Sequence, residues 1–244
     1  MKGSSADKNG LSAALNDIRA GRIVLVYDFD ERERETDMTI ASEFVTSDIL
    51  RRMRNDAGGL LCTTTPNKIA KELGLPFLSD VFWNNRKEYP LLGAMAPNDI
   101  PYDHTKSSFG ITINHRKTYT GITDADRALT ITEYVNTIFR NVPAEERIKE
   151  LGEHFRAPGH VHLLNTTSKL LKTRHGHTEL CTALMYMAGV KPSATICEML
   201  GDNGSSRPKE WVMEYAKKNK LNFITGQQVM EAWDGFIKET KMDV

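Results

Sequence analysis

Apolar positions along the chain alternate between helical spacing and short continuous runs, which predicts helices and buried strands in turn. Leu11, Ala14, Leu15 and Ile18 share one helical face, and Gly21 stands where the chain should leave that helix. Residues 1–10 ahead of it are polar and are expected to be frayed. Residues 23–27 form a continuous run rich in β-branched side chains, read as a buried strand that empties into the acidic segment 28–37. A second helix is expected from residues 46–48 on Ile49, Leu50 and Met53. Gly58 and Gly59 precede a strand over 60–65. Pro66 fits the first position of a helix that stops at Gly74, before Pro76. Residues 79–107 hold Trp83 and the prolines Pro90, Pro97 and Pro101 and are read as an irregular excursion.

The rhythm then resumes. A strand is expected at 109–113, and a helix at 125–139 with Ala128, Ile131, Val135 and Phe139 on one face. The charged stretch 140–157 is a second excursion with a short exposed helix in it. Strands follow at 160–164, 194–199 and 221–224. Helices follow at 177–188, closed by Gly189, and at 208–219. The last helix opens with a capping box of Thr225 and Gln228. No composition break suggests a linker, so residues 1–244 are read as one catalytic domain of α/β or α+β type.

Charge narrows the function classes. Lys plus Arg and Asp plus Glu are both 32, a formal net charge of zero. Such a chain lacks the basic excess that draws nucleic acid or an anionic membrane, so neither is expected as a partner. No apolar run approaches the roughly 20 residues that span a bilayer, and the polar start has no secretory apolar segment. A cytoplasmic location is expected. Cys62, Cys181 and Cys197 are odd in number and widely spaced, so they are read as reduced, buried thiols.

The densest chemistry lies at 28–37, where six acids and two arginines follow a buried strand. If the segment is extended, Glu33, Glu35 and Asp37 share one side. Three such carboxylates repel one another unless a proton or a hard divalent cation relieves them, which suits Mg²⁺ or Mn²⁺. A solvated loop with Arg–Glu pairs would look the same in sequence, but the end of a strand is where ligand sites gather. The second signal is Arg174-His175-Gly176-His177-Thr178-Glu179 at the start of a helix. There the unpaired N–H groups, the arginine and the Thr178 hydroxyl can receive a phosphate, and a histidine can bind a metal. A turn and a cap would also explain it. His160, at the entrance to a strand, and Thr123, at a helix cap, admit structural readings. Glu198 lies among apolar strand neighbours, where a carboxylate either faces solvent or titrates with a raised pKa.

Taken in order, these segments resemble the 3,4-dihydroxy-2-butanone 4-phosphate synthase family, especially its archaeal form. The family's R-E-x-E-x-D pattern is met by Arg32, Glu33, Glu35 and Asp37, and its R-x-G-H-T pattern by Arg174, Gly176, His177 and Thr178. Elements T-G-x-x-x-x-D-R, P-G-H-V and C-E are met at 120–127, 158–161 and by Cys197 with Glu198. The likeness runs from about residue 21 to residue 225. Arg34 departs from a slot that is often small or polar, and both excursions look long. No cyclohydrolase zinc pattern is present, so a monofunctional protein is expected.

The resemblance implies an α+β chain folded as a single-domain three-layer α/β/α sandwich around a mixed sheet. It also implies a homodimer with active sites shared between subunits. The implied reaction converts ribulose 5-phosphate to L-3,4-dihydroxy-2-butanone 4-phosphate and formate, with Mg²⁺ or Mn²⁺, two ions per site. Glu33 and His177 would bind metal. Asp37 and Glu35 would bind sugar hydroxyls or move protons, and His160 and Glu198 would transfer protons. Arg174, Gly176 and Thr178 would cradle the phosphate. Arg32, His175, Cys62 and Thr123 would complete the substrate pocket. A metal-dependent phosphate-ester hydrolase and a non-catalytic sugar-phosphate regulator are the competing readings.

Overall fold

The structure, a computed structural model, describes residues 5–96 and 100–242. Helix α1 (Ser5–Arg19) leads into strand β1 (Val24–Tyr27) through Gly21, whose φ of 67° suits a residue without Cβ. Helical structure thus reaches back through most of the stretch expected to be frayed; residues 1–4 lie outside the described residues. β1 turns into β2 (Thr36–Ala41), a strand absent from the expectation. Helix α2 (Ser47–Asp56) starts where Thr46 accepts the Ile49 N–H as its cap, and strand β3 (Cys62–Thr65) follows. Pro66 caps α3 (Asn67–Leu73) from just outside, rather than standing at its first position, and Gly74 ends it in the left-handed region.

The first excursion is partly helical, with α4 (Leu78–Asn84) and α5 (Pro90–Met95). Pro97 lies outside the described residues. The second excursion is regular from residue 144 onward. After β4 (Phe109–His115) and α6 (Asp124–Ile138), it forms α7 (Ala144–His154) and the start of the long strand β5 (Phe155–Asn165). The remainder follows expectation: α8 (His177–Ala188), β6 (Ala194–Glu198), α9 (Lys209–Asn219), β7 (Phe223–Thr225) and α10 (Gly226–Thr240) with its capping box.

The seven strands form one mixed sheet in the order β4-β5-β3-β6-β2-β1-β7. β3–β5 and β1–β7 run parallel, and the other neighbours are antiparallel. Strand alternation assigns the two faces. Leu25, Met38 and Ile40 pack with Leu50 and Met53 of α2, Ile131 and Val135 of α6, and Val212 of α9. Val24, Val26 and Ile196 pack with Ile18 of α1, Leu184 of α8, and Trp233 of α10. Helices therefore cover both faces, giving the expected three layers of an α+β fold. Among the described residues no helix is long and apolar enough to cross a membrane. Cys62, Cys181 and Cys197 are free and buried.

Candidate active site

Asp37 of β2 stands opposite Glu198 of β6, on the sheet face that carries α8. Two further pieces converge on this pair. The β1–β2 connection brings Glu33 and Glu35, and the N-terminus of α8 brings His177 and Thr178. Together with Arg174 these residues line a cavity of about 240 Å³.

The acidic connection is a turn rather than an extended segment, so the expected alternation is not what groups its acids. Asp28, 1% exposed, organises the turn. Its Oδ2 accepts the Glu33 N–H at 2.9 Å and its Oδ1 accepts the Glu35 N–H at 3.0 Å. Arg34 takes φ 60° where the chain reverses, and its Nε donates to the Asp30 carbonyl, so it points away from the cavity lining. Glu33 is thereby delivered to His177, its Oε2 lying 3.0 Å from Nδ1. Glu35 accepts a hydrogen bond from Ser206. Glu198 accepts the Leu60 N–H at 2.8 Å. That approach needs Gly59, where a Cβ would lie 2.4 Å from the Glu198 carboxylate.

The electrostatics divide these acids into two kinds. Burial alone would raise Glu33, but the hydrogen bond and charge of His177, helped by Arg32 and Arg174, bring its pKa down to about 2. Burial would lower His177, but Asp37 and Glu33 lift it to about 10. Asp37 goes the other way. Burial, with Glu198, Glu33 and Glu35 adding, outweighs His177 and pushes its carboxyl well above the usual range. Burial also raises Glu198, and Glu35 adds to it. A pair ionised at neutral pH therefore sits beside two carboxyls that hold protons more tightly, a separation suited to acid–base work.

At the other end of the cavity, Gly176 is the N-cap of α8, and the first N–H to turn back on its carbonyl is that of Glu179 at 3.0 Å, which leaves the His177 and Thr178 N–H groups ahead of the intrahelical ladder. A Cβ on Gly176 would lie 2.3 Å from Arg174 Nη1 and 2.9 Å from Arg32 Nη2. Two guanidinium groups thus crowd the positive end of a helix, the arrangement that receives phosphate. Arg174 is held by Glu179 (Nη1 to Oε2, 2.7 Å) and by Asp103 (Nε to Oδ2, 2.8 Å). Arg32 reaches the same Asp103 oxygen at 2.9 Å beneath the Tyr102 ring.

A divalent cation fits the donors present. Asp28, Glu33 and His177 bring ligand atoms within 4.8 Å of one another. His177 Nε2 and Asp37 Oδ1 are buried without hydrogen-bond partners and face each other at 3.7 Å. Hard carboxylate oxygens beside an imidazole suit Mg²⁺ or Mn²⁺. Both Asp28 oxygens accept backbone N–H groups, while the Glu33 oxygens meet Arg32 Nη1 at 2.7 Å and His177 Nδ1 at 3.0 Å.

Residues 12–232 match the family model for 3,4-dihydroxy-2-butanone 4-phosphate synthase. The chain belongs to the 3,4-dihydroxy-2-butanone 4-phosphate synthase family. It is 45% identical over 227 residues to the synthase of Methanothermobacter thermautotrophicus, covering 93% of this chain and 96% of that one. To the Archaeoglobus fulgidus synthase it is 42% identical, covering 91% and 93%. A solved synthase structure in complex with two magnesium ions matches with a TM-score of 0.69, over 96% of this chain and 99% of that one. At 21% identity that likeness speaks to the fold.

Against this synthase fold, the expected site residues separate. Glu33, Glu35, Asp37, Arg174, His177, Thr178 and Glu198 line the cavity. Arg32 and Gly176 adjoin the lining, Arg32 pairing with Glu33 at 2.7 Å and Gly176 crowding Arg174. His175 is exposed and packs on Phe29 with ring centroids 6.1 Å apart. Cys62 is 2% exposed, and burial with the nearby Glu198 and Asp37 charges keeps its thiol protonated. His160 and Thr123 are elsewhere in this chain. The His160 N–H donates to Asn114 Oδ1 at 2.8 Å, and its Nδ1 meets Asn114 Nδ2 at 3.1 Å. Asn114 in turn donates to the Thr120 carbonyl, three residues before Thr123, the cap of α6. Sequence reasoning missed Asp28 as the organiser of the turn, although it lay in the acidic run. It also missed Glu179 and Asp103, the partners of the arginines.

Proposed function

We propose that this protein converts ribulose 5-phosphate to L-3,4-dihydroxy-2-butanone 4-phosphate and formate in riboflavin biosynthesis. The observation that carries the reading is the opposition of Asp37 and Glu198 beside the Glu33–His177 pair, with a two-arginine anion site at the far end of the same cavity. A sugar phosphate has both features, vicinal hydroxyls at one end and a dianion at the other. Substrate and products balance atom for atom, since the water lost in one step returns in another. No redox partner is needed.

Glu33 and His177 hold the metal in this reading, Mg²⁺ or Mn²⁺ with two ions per site; a related synthase was solved with two magnesium ions. When bound, the metal draws charge from the sugar oxygens and makes the adjacent C–H more acidic. Arg174, the α8 N-terminal N–H groups and Thr178 anchor the phosphate, so the sugar carbons fall towards Asp37 and Glu198. Asp37 and Glu198 take and return the protons of enolisation and of the skeletal shift, and Glu35 binds a sugar hydroxyl. The buried cavity floor limits water around the enediol. The enzyme acts in the cytoplasm in this reading.

Glu198 and His160 stand in one row of the sheet, because Ile196 and His162 both pair with Cys62. One strand separates them, a span of about 10 Å. In this reading the exposed His160 serves the site of a second copy, together with Thr123 and the neighbouring segment that carries the exposed Tyr119 and Ile122. On this proposal His160 of the partner subunit completes each site of a homodimer.

Chelation tests the metal-dependent reading. EDTA should abolish formate release and added Mg²⁺ or Mn²⁺ should restore it. Undiminished turnover by exhaustively metal-free protein would refute it.

A further inference from the structure

Asp103 belongs to none of the family patterns and comes from the connection between α5 and β4. Its Oδ2 accepts from both Arg32 Nη2 (2.9 Å) and Arg174 Nε (2.8 Å). Its Oδ1 is fixed by Thr105, which donates its N–H at 2.9 Å and its hydroxyl at 2.6 Å. The side chains of Arg32, Arg174 and Asp103 are only 7–8% exposed. Two guanidinium groups this close repel each other unless an anion lies between them, and a carboxylate receiving both forms charge-assisted hydrogen bonds. Among the described residues Asp103 is the one carboxylate that forms an ion pair with each arginine, since Glu33 and Asp28 reach Arg32 while Glu179 reaches Arg174.

The same contact fixes a wall. Ile100, Tyr102, Ser107, Ser108 and Phe109 flank Asp103 in sequence and line the cavity, whereas Asp103 does not. Its carboxylate is instead taken up by the two arginines and by Thr105. With Asp103 on Nε and Glu179 on Nη1, the Arg174 guanidinium is held at both edges.

We propose that Asp103 is a positioning residue for the substrate's phosphate, holding Arg32 and Arg174 together at the α8 N-terminus and latching the 100–109 wall onto them. The proposal rests on the reading of that helix end as the phosphate subsite. Asp103 acts through the arginines and touches no reacting atom.

The test compares Asp103→Asn, Asp103→Glu and Thr105→Ala with the wild-type chain, in Mg²⁺, with thermal melts to verify folding. Asp103→Asn should raise KM for ribulose 5-phosphate by about tenfold, the scale of one lost charge-assisted hydrogen bond, while kcat changes little. The competitive inhibition constant of inorganic phosphate should weaken in parallel. Thr105→Ala should shift both in the same direction by less, and Asp103→Glu should recover part of the loss. If Asp103→Asn does not fold, Thr105→Ala decides. Unchanged or tightened phosphate and substrate constants would overturn the proposal, as would a fall in kcat at constant KM. If the wild-type chain releases no formate, the functional reading fails, and calorimetric phosphate affinity of the same variants still judges Asp103.

Discussion

Asp37 and Glu198 face each other across the β2–β6 ladder, two carboxyls on directly paired residues, and burial raises the pKa of both. Directly opposed side chains in an antiparallel pair have Cβ atoms about 5 Å apart. At that distance the ionisation of one opposes that of the other, so the pair retains a proton in the range where a free carboxyl would lose it. Glu198→Gln keeps the shape and removes the exchangeable proton. Turnover should fall about a hundredfold or more, the usual scale for a general acid–base group, while substrate binding persists. Steady-state kinetics with a binding titration checks this, and a fully active variant would return Glu198 to a structural role.

His177 carries a proton in the metal-free site, since the Asp37 and Glu33 carboxyls lift its pKa to about 10 against the cost of burial. A metal-bound imidazole must be neutral, so binding Mg²⁺ should release that proton. The raised pKa sets the sign: affinity rises with pH up to the region of the His177 pKa, by about tenfold per pH unit if one proton leaves. Titration calorimetry in buffers of different ionisation enthalpy measures the release directly. Heats independent of the buffer at pH 7 would contradict it.

Gly176 has an ordinary φ of −80°, so an alanine there is opposed by its neighbours and not by the backbone. The added Cβ would lie 2.3 Å from Arg174 Nη1 and must push that guanidinium aside. Gly176→Ala should raise KM about tenfold or more, because anchoring geometry at this end sets the sugar's position at the other. Gly152→Ala, where nothing lies within 4 Å, is the control. It should leave kinetics unchanged and stabilise α7 by up to about 1 kcal/mol. Equal kinetics for the two variants would count against the crowding argument.

His160 and Glu33 reach one pocket from different subunits if the site is shared. Inactive Glu33→Ala and inactive His160→Ala proteins, mixed and allowed to exchange, should then recover activity, since half of the mixed sites carry neither change. By symmetry the recovery approaches about half of wild type per heterodimer. Verified heterodimers without recovery would place both residues in the same chain's site.

Much of this architecture is legible in the sequence, and the parts that are not have identifiable reasons. The helix at 177–188 and its Gly189 stop could be read directly, because eleven of its twelve residues are buried and apolar residues dominate. β2 could not, because all six of its positions are buried yet half are Thr or Asp, and the acids before it read as a loop. α7 was legible only as a short exposed helix within the charged stretch, because its buried residue is Arg147, which donates to the Ile138 carbonyl and pairs with Glu72. Apolar periodicity cannot set the bounds of such a helix. α4 and α5, of seven and six residues, are too short to establish a period. The cavity acids and the α8 end were found by residue type and order. Asp103 was not, since nothing in its local sequence announces two arginines 71 residues away on either side.

The most direct test of the central claim is product analysis by NMR after wild-type protein is incubated with ribulose 5-phosphate and Mg²⁺. Formate and a four-carbon ketose phosphate should appear in equal amounts, with no free inorganic phosphate. Release of inorganic phosphate without formate would identify a phosphate-ester hydrolase, and substrate that binds but persists unchanged would identify a non-catalytic binding protein; either result contradicts the account.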